Sequence, residues 1–271
     1  MDLLKKFGDK GMNVTFIGSG NLAWHLAPAF DNTDFAVREV FSLHKKNAAA
    51  LADRLYQAEV KTSLDFSDSS SRIFIIAVAD DAIPEVAHQI VLPANAILVH
   101  TSGSQPLSVL GYAATLNTGV LYPLQTFSKG KKIDFKEVPF FVESENTETE
   151  RMLMAMAKAI SKKVYRSTSQ HRKALHVAAV FASNFTNHML TISQEILEKH
   201  GLKLELLKPL IAETINKSLS IGPENAQTGP ASRGDLEILD KHMEFLADDD
   251  SVSEIYKAIS QHIVDKYHED H

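Results

Sequence analysis

Asn13-Val14-Thr15-Phe16-Ile17-Gly18-Ser19-Gly20-Asn21-Leu22-Ala23 joins a short β-rich run, Val14–Ile17, to a glycine turn and then to a segment with helical spacing, Asn21–Phe30. Residues Gly18 to Ala23 read G-x-G-x-x-A. In a strand–turn–helix setting each position has a physical task. Gly18 permits the tight turn, Gly20 lets the backbone come close to a pyrophosphate, and Ala23 allows the helix to pack closely on the strand. Backbone N–H groups at the positive end of the helix then hold the pyrophosphate. Such a pattern is common, so its value lies in its context: a strand before, a helix after and a second β-rich run, Val37–Phe41, beyond. Pro28 removes a backbone hydrogen bond from the interior of this helix, which is therefore expected to kink or end early.

The same rhythm continues outward. Asn47–Tyr56 is rich in alanine and leucine, and Ile73–Val78 is a nearly continuous apolar run. Such a run suits a strand buried on both faces. Asp80 and Asp81 stand where a helix N-cap belongs, with capping by Asp81 expected, and Pro84 falls in the first turns of Ile83–Ile90. Ala96–Val99, Gly119–Leu121, Pro139–Val142 and Val164–Tyr165 read as further strands, and Arg151–Ile160 as a helix after the polar SENTETE stretch. Alternating strands and helices predict an α/β fold, a Rossmann-type doubly wound, mainly parallel sheet. From Ser169 the pattern is helical almost to the end, broken at Gly201, Pro209, Gly222–Pro223 and Gly229–Pro230 into an expected four helices. The reading is a dinucleotide-binding domain over 12–165 and an all-helical C-terminal domain for substrate and dimerisation over 166–271.

Composition narrows the function classes. The 271 residues carry a formal net charge of -6, 44 % hydrophobic residues and no cysteine. No disulfide framework or thiolate metal site is possible. There is no basic stripe for nucleic acid and no apolar run near the ~18 residues a bilayer span needs. Residues 1–11 are charged, with almost no apolar core, and read as a solvated lead-in rather than a secretory signal, Met12 being an alternative start. A cytoplasmic protein is expected, with no nucleic-acid or membrane partner. Neither a G-x-S-x-G elbow nor an H-E-x-x-H pair occurs, so a serine hydrolase and a metal site are poor readings, and His262, His268 and His271 read as solvated.

In this fold a carboxylate at the end of the second strand binds the ribose 2′-hydroxyl and favours NAD. Here the strand end reads Phe41-Ser42-Leu43-His44-Lys45-Lys46, and Asp53 and Glu59 lie too far on to serve. Ser42, His44 and Lys45 are candidates for a 2′-phosphate, which points to NADP with NAD less favoured. Gly18, Ser19, Gly20, Asn21 and Leu22 are the pyrophosphate candidates, and Val78 and Ala79 would pass near the nicotinamide ribose. The loops His100-Thr101-Ser102-Gly103-Ser104 and Tyr122-Pro123-Leu124-Gln125-Thr126 follow strands, where open α/β sheets form their ligand crevice. Ser102 is taken as a cofactor contact and Gln125 as a substrate contact.

Gln170–Leu190 is an apolar helix with polar interruptions. At 3.6 residues per turn, Lys173, His176, Ser183, Asn184 and Asn187 fall roughly along one stripe. Buried polar groups need partners, so the stripe either bonds to other helices or faces a substrate cleft. In the cleft reading His176 is the general acid, since an ordinary imidazole titrates near neutral pH; Lys173 is the alternative acid or an anchor for an anionic substrate, and Asn184 is the third candidate catalytic residue. Thr228-Gly229-Pro230-Ala231-Ser232-Arg233-Gly234-Asp235 leads into a helix over Leu236–Phe245 and puts Arg233 at a helix start suited to a carboxylate or phosphate. The bland alternative is that Asp235 caps that helix and Arg233 forms a surface ion pair.

The GSGNLA opening, the HTSGS loop, the KALHVAAVFASNF helix and the TGPASRGD turn together resemble a bacterial family assigned as NADP oxidoreductases, with a Rossmann-like domain followed by a helical C-terminal domain of unknown function. The resemblance covers nearly the whole chain from Met12, and the TGPxxRGD turn is its more specific motif. The family is similar in plan to pyrroline-5-carboxylate reductase, to deazaflavin-dependent NADP oxidoreductases and to the 6-phosphogluconate dehydrogenase superfamily. Those relatives imply a dimerising helical domain and an active site in an interdomain cleft. The Lys-x-x-x-Asn pair of the superfamily's hydroxyacid dehydrogenases does not carry over. Val177 stands four residues after Lys173 and Val180 four after His176. The expectation is an NADP-dependent oxidoreductase moving a hydride between nicotinamide and a small, anionic carbonyl or imine. The alternative is a non-catalytic NADP-binding sensor or partner protein.

Overall fold

A computed structural model describes residues 12–268. Residues 1–11, read as a solvated lead-in, and His271, read as a solvated tail residue, lie outside the described residues. By its internal contacts the chain divides into two compact units, one ending at Ser183 and one beginning at Asn184.

The first unit is built on one eight-stranded sheet with the order β3-β2-β1-β4-β5-β6-β7-β8. In chain order its elements are β1 (Met12–Ile17), α1 (Asn21–Asp31), β2 (Phe35–Phe41), α2 (Lys45–Ala52), β3 (Glu59–Lys61), β4 (Ile73–Ile76), α3 (Ile83–Gln89), β5 (Ile97–His100), β6 (Thr118–Pro123), β7 (Phe140–Glu143), α4 (Thr147–Lys158), β8 (Val164–Arg166) and α5 (Ser169–Ala179). All pairings are parallel except β6 with β7. The strand order reverses between β1 and β4, which is where open α/β sheets bind ligands.

Alternation along the strands builds two apolar layers. Ile73 and Ile75 join Val14, Phe16, Val99 and Leu121 in one layer, with Leu26 and Phe30 of α1, Leu51 of α2 and Met156 of α4. Phe74 and Ile76 join Ile17, Leu98, Val120 and Tyr122 in the other, with Ile83 and Ala87 of α3. Successive side chains of one strand point to opposite faces, so the continuous apolar run at 73–76 serves both layers. The doubly wound, mainly parallel reading is what the structure shows.

Three local expectations are corrected. Pro28 does not end α1 early, since the helix runs on to Asp31. Asp81 makes no cap, because the turn starts with a short 3-10 segment, Asp80–Ala82, with Ala79 in the cap position and no side-chain cap bond. β3 was not foreseen; it is a three-residue strand at the sheet edge, and Glu59 and Lys61 hide its alternation.

The second unit is helical throughout. After a π-helical segment, Val180–Phe185, come α6 (Thr186–Lys199), α7 (Lys208–Ile221), α8 (Pro223–Ala226), α9 (Pro230–Arg233), α10 (Leu236–Phe245) and α11 (Asp250–His268). Four helices were expected from Ser169 on. The additional ones are the π break and two four-residue turns at the Gly-Pro pairs. Asp235 sits in the N-cap position of α10 without a side-chain cap bond, and Arg233 is exposed with no ion pair among the described residues. Among the described residues no helix is long and apolar enough to cross a membrane.

His100, at the end of β5, is fully buried. Burial, and then the charge of Arg172, push its pKa down from 6.5 to about 4, against the Pro106 carbonyl and Asp80. The unfolded chain therefore binds a proton near pH 6 that the folded chain refuses. Stability contributed by neutral His100 is present above the unfolded pKa and is lost as pH falls from about 6.5 to about 4, by up to about 3 kcal/mol. Urea unfolding at pH 7 and pH 5 should show that loss in the wild type and a smaller loss in His100→Gln. An equal loss in both would assign the acid sensitivity elsewhere.

Candidate functional site

The turn after β1 is fixed by backbone alone. Gly18 has φ +112°, and a Cβ there would lie 2.2 Å from the Ala77 carbonyl oxygen. The Gly18 N–H donates to the Phe41 carbonyl at 2.7 Å and the Ala77 N–H to the Ile17 carbonyl at 2.7 Å. Three strand ends, those of β1, β2 and β4, thus converge on one glycine. Gly20 differs: a Cβ there would meet nothing within 4 Å. It occupies the N-cap position of α1, which has no side-chain cap bond and no acidic residue in its first turn. The first N–H groups of an eleven-residue helix are left to an outside acceptor.

These groups line a cavity of about 600 Å³. Its walls include Gly18, Ser19, Gly20, Asn21 and Leu22 from the first turn, Ser42 and His44 from the end of β2, and Val78 and Ala79 from the end of β4. Ser19 Oγ donates to Ser42 Oγ at 2.9 Å, tying the first two of these loops together. The structure therefore brings nine sequence-derived candidates to one cavity. Lys45 does not line it; it starts α2 and is exposed. Lys129 does line it, with its ammonium 4.7 Å from the centre of the Trp24 ring. The sequence reading missed Lys129, although the basic cluster Lys129, Lys131 and Lys132 was there to be noticed. Leu64, Glu85, Val86 and Gln89 also line the cavity.

Ser102 does not line this cavity either. It is buried, and its hydroxyl accepts the N–H groups of Ser104 and Gln105, both at 3.0 Å. That bond shapes a loop which then grips its surroundings. Ser104 Oγ donates to Asp80 at 2.5 Å, next to cavity-lining Ala79. The Gln105 carbonyl accepts from Arg172 Nη2 at 2.7 Å, and the Leu107 N–H donates to Ser169 Oγ at 3.1 Å. Arg172 is 0 % exposed and pairs with Glu143 at 3.1 Å, while Ser169 Oγ donates to the same carboxylate at 2.8 Å. A buried charge is tolerated only when paired, so this pair pins α5 to the end of β7.

One turn along α5, His176 is half-buried. The Tyr122 hydroxyl lies 3.3 Å from its Nδ1. Burial, and then Asp80, push the Tyr122 pKa up, against Arg172, so the phenol stays protonated. Lys173 is exposed, and Gln125 is exposed with its carbonyl oxygen accepting the Thr126 N–H at 2.8 Å. Asn184 is exposed at the start of the second unit, inside the π-helical segment. A π turn is wider than an α turn, so a stripe drawn at 3.6 residues per turn does not continue past Val180.

The geometry has counterparts. The crystal structure of BF3122 from Bacteroides fragilis, provisionally described as an NADP oxidoreductase, is 39 % identical, covers 94 % of this chain and 99 % of its own, and has a TM-score of 0.85. The chain belongs to the family of that Bacteroides protein. A family profile described as "Domain of unknown function (DUF2520)" matches residues 138–263. An imine reductase from Streptomyces aurantiacus is 19 % identical over 95 % of this chain and 94 % of its own, with a TM-score of 0.64. Pyrroline carboxylate reductase from Plasmodium falciparum, solved with NADP bound, is 15 % identical over 95 % of this chain and 100 % of its own, with a TM-score of 0.58. These last two share the fold. Comparison with curated proteins gave no match.

The two glycines of the turn predict different losses. Gly18→Ala drives a methyl into the Ala77 carbonyl from a backbone conformation that L side chains rarely adopt, and should destabilise the first unit by several kcal/mol. Gly20→Ala meets open space, so the melting temperature should stay within about 2 °C, a surface-like effect, while NADPH affinity falls at least about tenfold because the methyl occupies the pyrophosphate approach. A Gly20→Ala variant that binds NADPH normally would remove the cavity from the cofactor's path.

Proposed function

We propose that this protein is an NADP-dependent oxidoreductase acting on a small, anionic carbonyl or imine, with the dinucleotide in the cavity at the β1–β4 switch point. The observation that carries it is the uncapped start of α1 beside open space at Gly20. The donor set fits a pyrophosphate held by the backbone N–H groups of Gly20 to Leu22. The end of β2 itself carries no carboxylate for a 2′-hydroxyl, although Glu85 of α3 lines the same cavity. Ser42 and His44 line the cavity there, and Lys45 stands at the rim of α2 as a further cation for a 2′-phosphate. Lys129 adds a positive charge to the same cavity. The family relative described as an NADP oxidoreductase supports this cofactor.

When bound, the nicotinamide supplies or accepts the hydride. His176 holds the proton that the carbonyl oxygen or imine nitrogen takes up as hydride adds to its carbon. Val78 and Ala79 shape the nicotinamide end of the cavity, and the Ser102–Gln105 loop joins that wall to α5. Lys173 and Gln125, both exposed in the first unit, are candidates for orienting an anionic substrate. Exposed Leu210, Leu219, Leu236 and Phe245 in the second unit support a homodimer built through its helices; a single-chain mass by light scattering at micromolar concentration would contradict that.

The test separates cofactor from chemistry. Nicotinamide fluorescence should report NADPH binding at least about tenfold tighter than NADH, the worth of one phosphate contact set. His176→Ala should lower turnover of a cyclic-imine or 2-oxo-acid probe by about 10²-fold or more with NADPH affinity unchanged. Equal binding of the two cofactors would remove the NADP assignment. Unchanged turnover in His176→Ala would remove its role as the acid, and NADPH binding without turnover of any probe by the wild type would favour the sensor alternative.

A further inference from the structure

Gly103 has an ordinary backbone conformation, so no turn requires a glycine there. Space does. A Cβ on Gly103 would lie 2.6 Å from Tyr122 Cζ, 2.9 Å from Tyr122 Cε2 and 2.7 Å from His176 Nδ1. The missing methyl lies at the point where the phenol and the imidazole meet. The two rings stand edge to face, with centroids 6.1 Å apart and an interplanar angle of 64°. Tyr122 comes from β6 and belongs to the apolar layer shared with Leu98 and Ile83, so its ring is held by packing. His176 comes from α5, which the buried Arg172–Glu143 pair fixes one turn earlier. Gly103 lies between Ser102, whose hydroxyl takes two backbone N–H groups, and Ser104, which donates to Asp80. Three separately anchored segments therefore converge on one hydrogen bond.

We infer that Tyr122 and Gly103 are positioning residues that fix the tautomer and ring orientation of His176. The inference rests on the reading of His176 as the proton donor. Which nitrogen of a neutral imidazole carries the proton is set by the bond its other nitrogen makes. As inferred, the phenol O–H, 3.3 Å away, donates to Nδ1, and the ring's own proton then sits on Nε2. Among the described residues Nε2 has no hydrogen-bond partner, which leaves it as the nitrogen that meets substrate. When the ring takes up a second proton, the same phenol oxygen turns to accept from Nδ1–H. The hydroxyl thus supports both protonation states without the imidazole turning: the doubly protonated ring gives its Nε2 proton to substrate and keeps Nδ1–H on the phenol oxygen, while in the neutral resting ring Nε2–H donates a hydrogen bond only. Asp80, Arg172 and His100 are the other ionisable groups of this cluster, and none of them bonds to His176.

The test reads the tautomer in the free protein, so it does not depend on substrate or cofactor. Proteins labelled with ¹⁵N-histidine would be compared by long-range ¹H–¹⁵N correlation near pH 8, where an ordinary imidazole of pKa ~6.5 is neutral. His176→Gln identifies the His176 signals by their loss. Wild type should show His176 with a protonated Nε2 and an Nδ1 shifted by an accepted hydrogen bond. Tyr122→Phe keeps the ring packing and removes the hydroxyl; its His176 should become a mixture of tautomers exchanging freely. Gly103→Ala, which wedges the rings apart, should give the same mixture with Tyr122 intact. A wild-type ring protonated at Nδ1, or a tautomer unchanged in both folded variants, would overturn the inference. Neither result touches the reading it rests on, because that reading stands or falls on the turnover of His176→Ala.

Discussion

At Gly18 the first turn presses so closely on the Ala77 carbonyl that no side chain fits, and the backbone adopts φ +112° to allow it. The same residue takes the Phe41 carbonyl, while Ile17 takes the Ala77 N–H. The ends of β1, β2 and β4 are thereby locked to one another at the point where strand order reverses. The rest of the site follows from that lock. It sets where α1 begins, which leaves the first N–H groups of that helix open toward the cavity. It also fixes the ends of β2 and β4, from which Ser42 and Val78 line the cavity. A turn of any other residue would hold the strands further apart.

A second constraint runs from the cavity wall to α5. Asp80, Ser104, Ser102 and Gln105 form a continuous chain of hydrogen bonds that ends on the guanidinium of Arg172. Arg172 is enclosed completely, and among the described residues Glu143 is its ion-pair partner. Such a pair adds little net stability, since desolvation offsets attraction. Its effect is geometric. It allows one placement of the first turns of α5, and so one placement of His176 beside Tyr122. Burial, and after it this charge, lower the His100 pKa. Positional accuracy is obtained here from polar groups inside an apolar unit, where an unmatched partner would be costly.

Much of this was legible in the sequence. The glycine turn and the 73–76 run carry their meaning locally, because turn geometry and two-faced burial each leave a mark on consecutive residues. The cavity's nine foreseen residues lie within five positions of strand ends for that reason. What was not legible depends on contacts across the fold. Lys129 reaches the cavity from a loop more than a hundred residues after the glycine turn. Ser102 looked like a ligand contact, yet its hydroxyl is consumed by its own loop. Asp81 had the composition of a cap but not its backbone setting, as the 3-10 turn begins one residue earlier. The π segment at Val180–Phe185 leaves no signature in an apolar stretch, and it ends the periodicity on which the polar stripe was drawn. Gly103 looked like an ordinary turn glycine until the two rings above it were located.

We propose that the cavity at the strand reversal holds the dinucleotide lengthwise, with its phosphorylated adenosine end at β2 and its nicotinamide end at β4. A crystal structure of the protein grown with NADP⁺ tests this most directly. The account predicts the pyrophosphate on the N–H groups at the start of α1, the 2′-phosphate beside Ser42 and His44, and the nicotinamide beside Val78 and Ala79. A dinucleotide lying in the reverse direction, or bound outside this cavity, would contradict it.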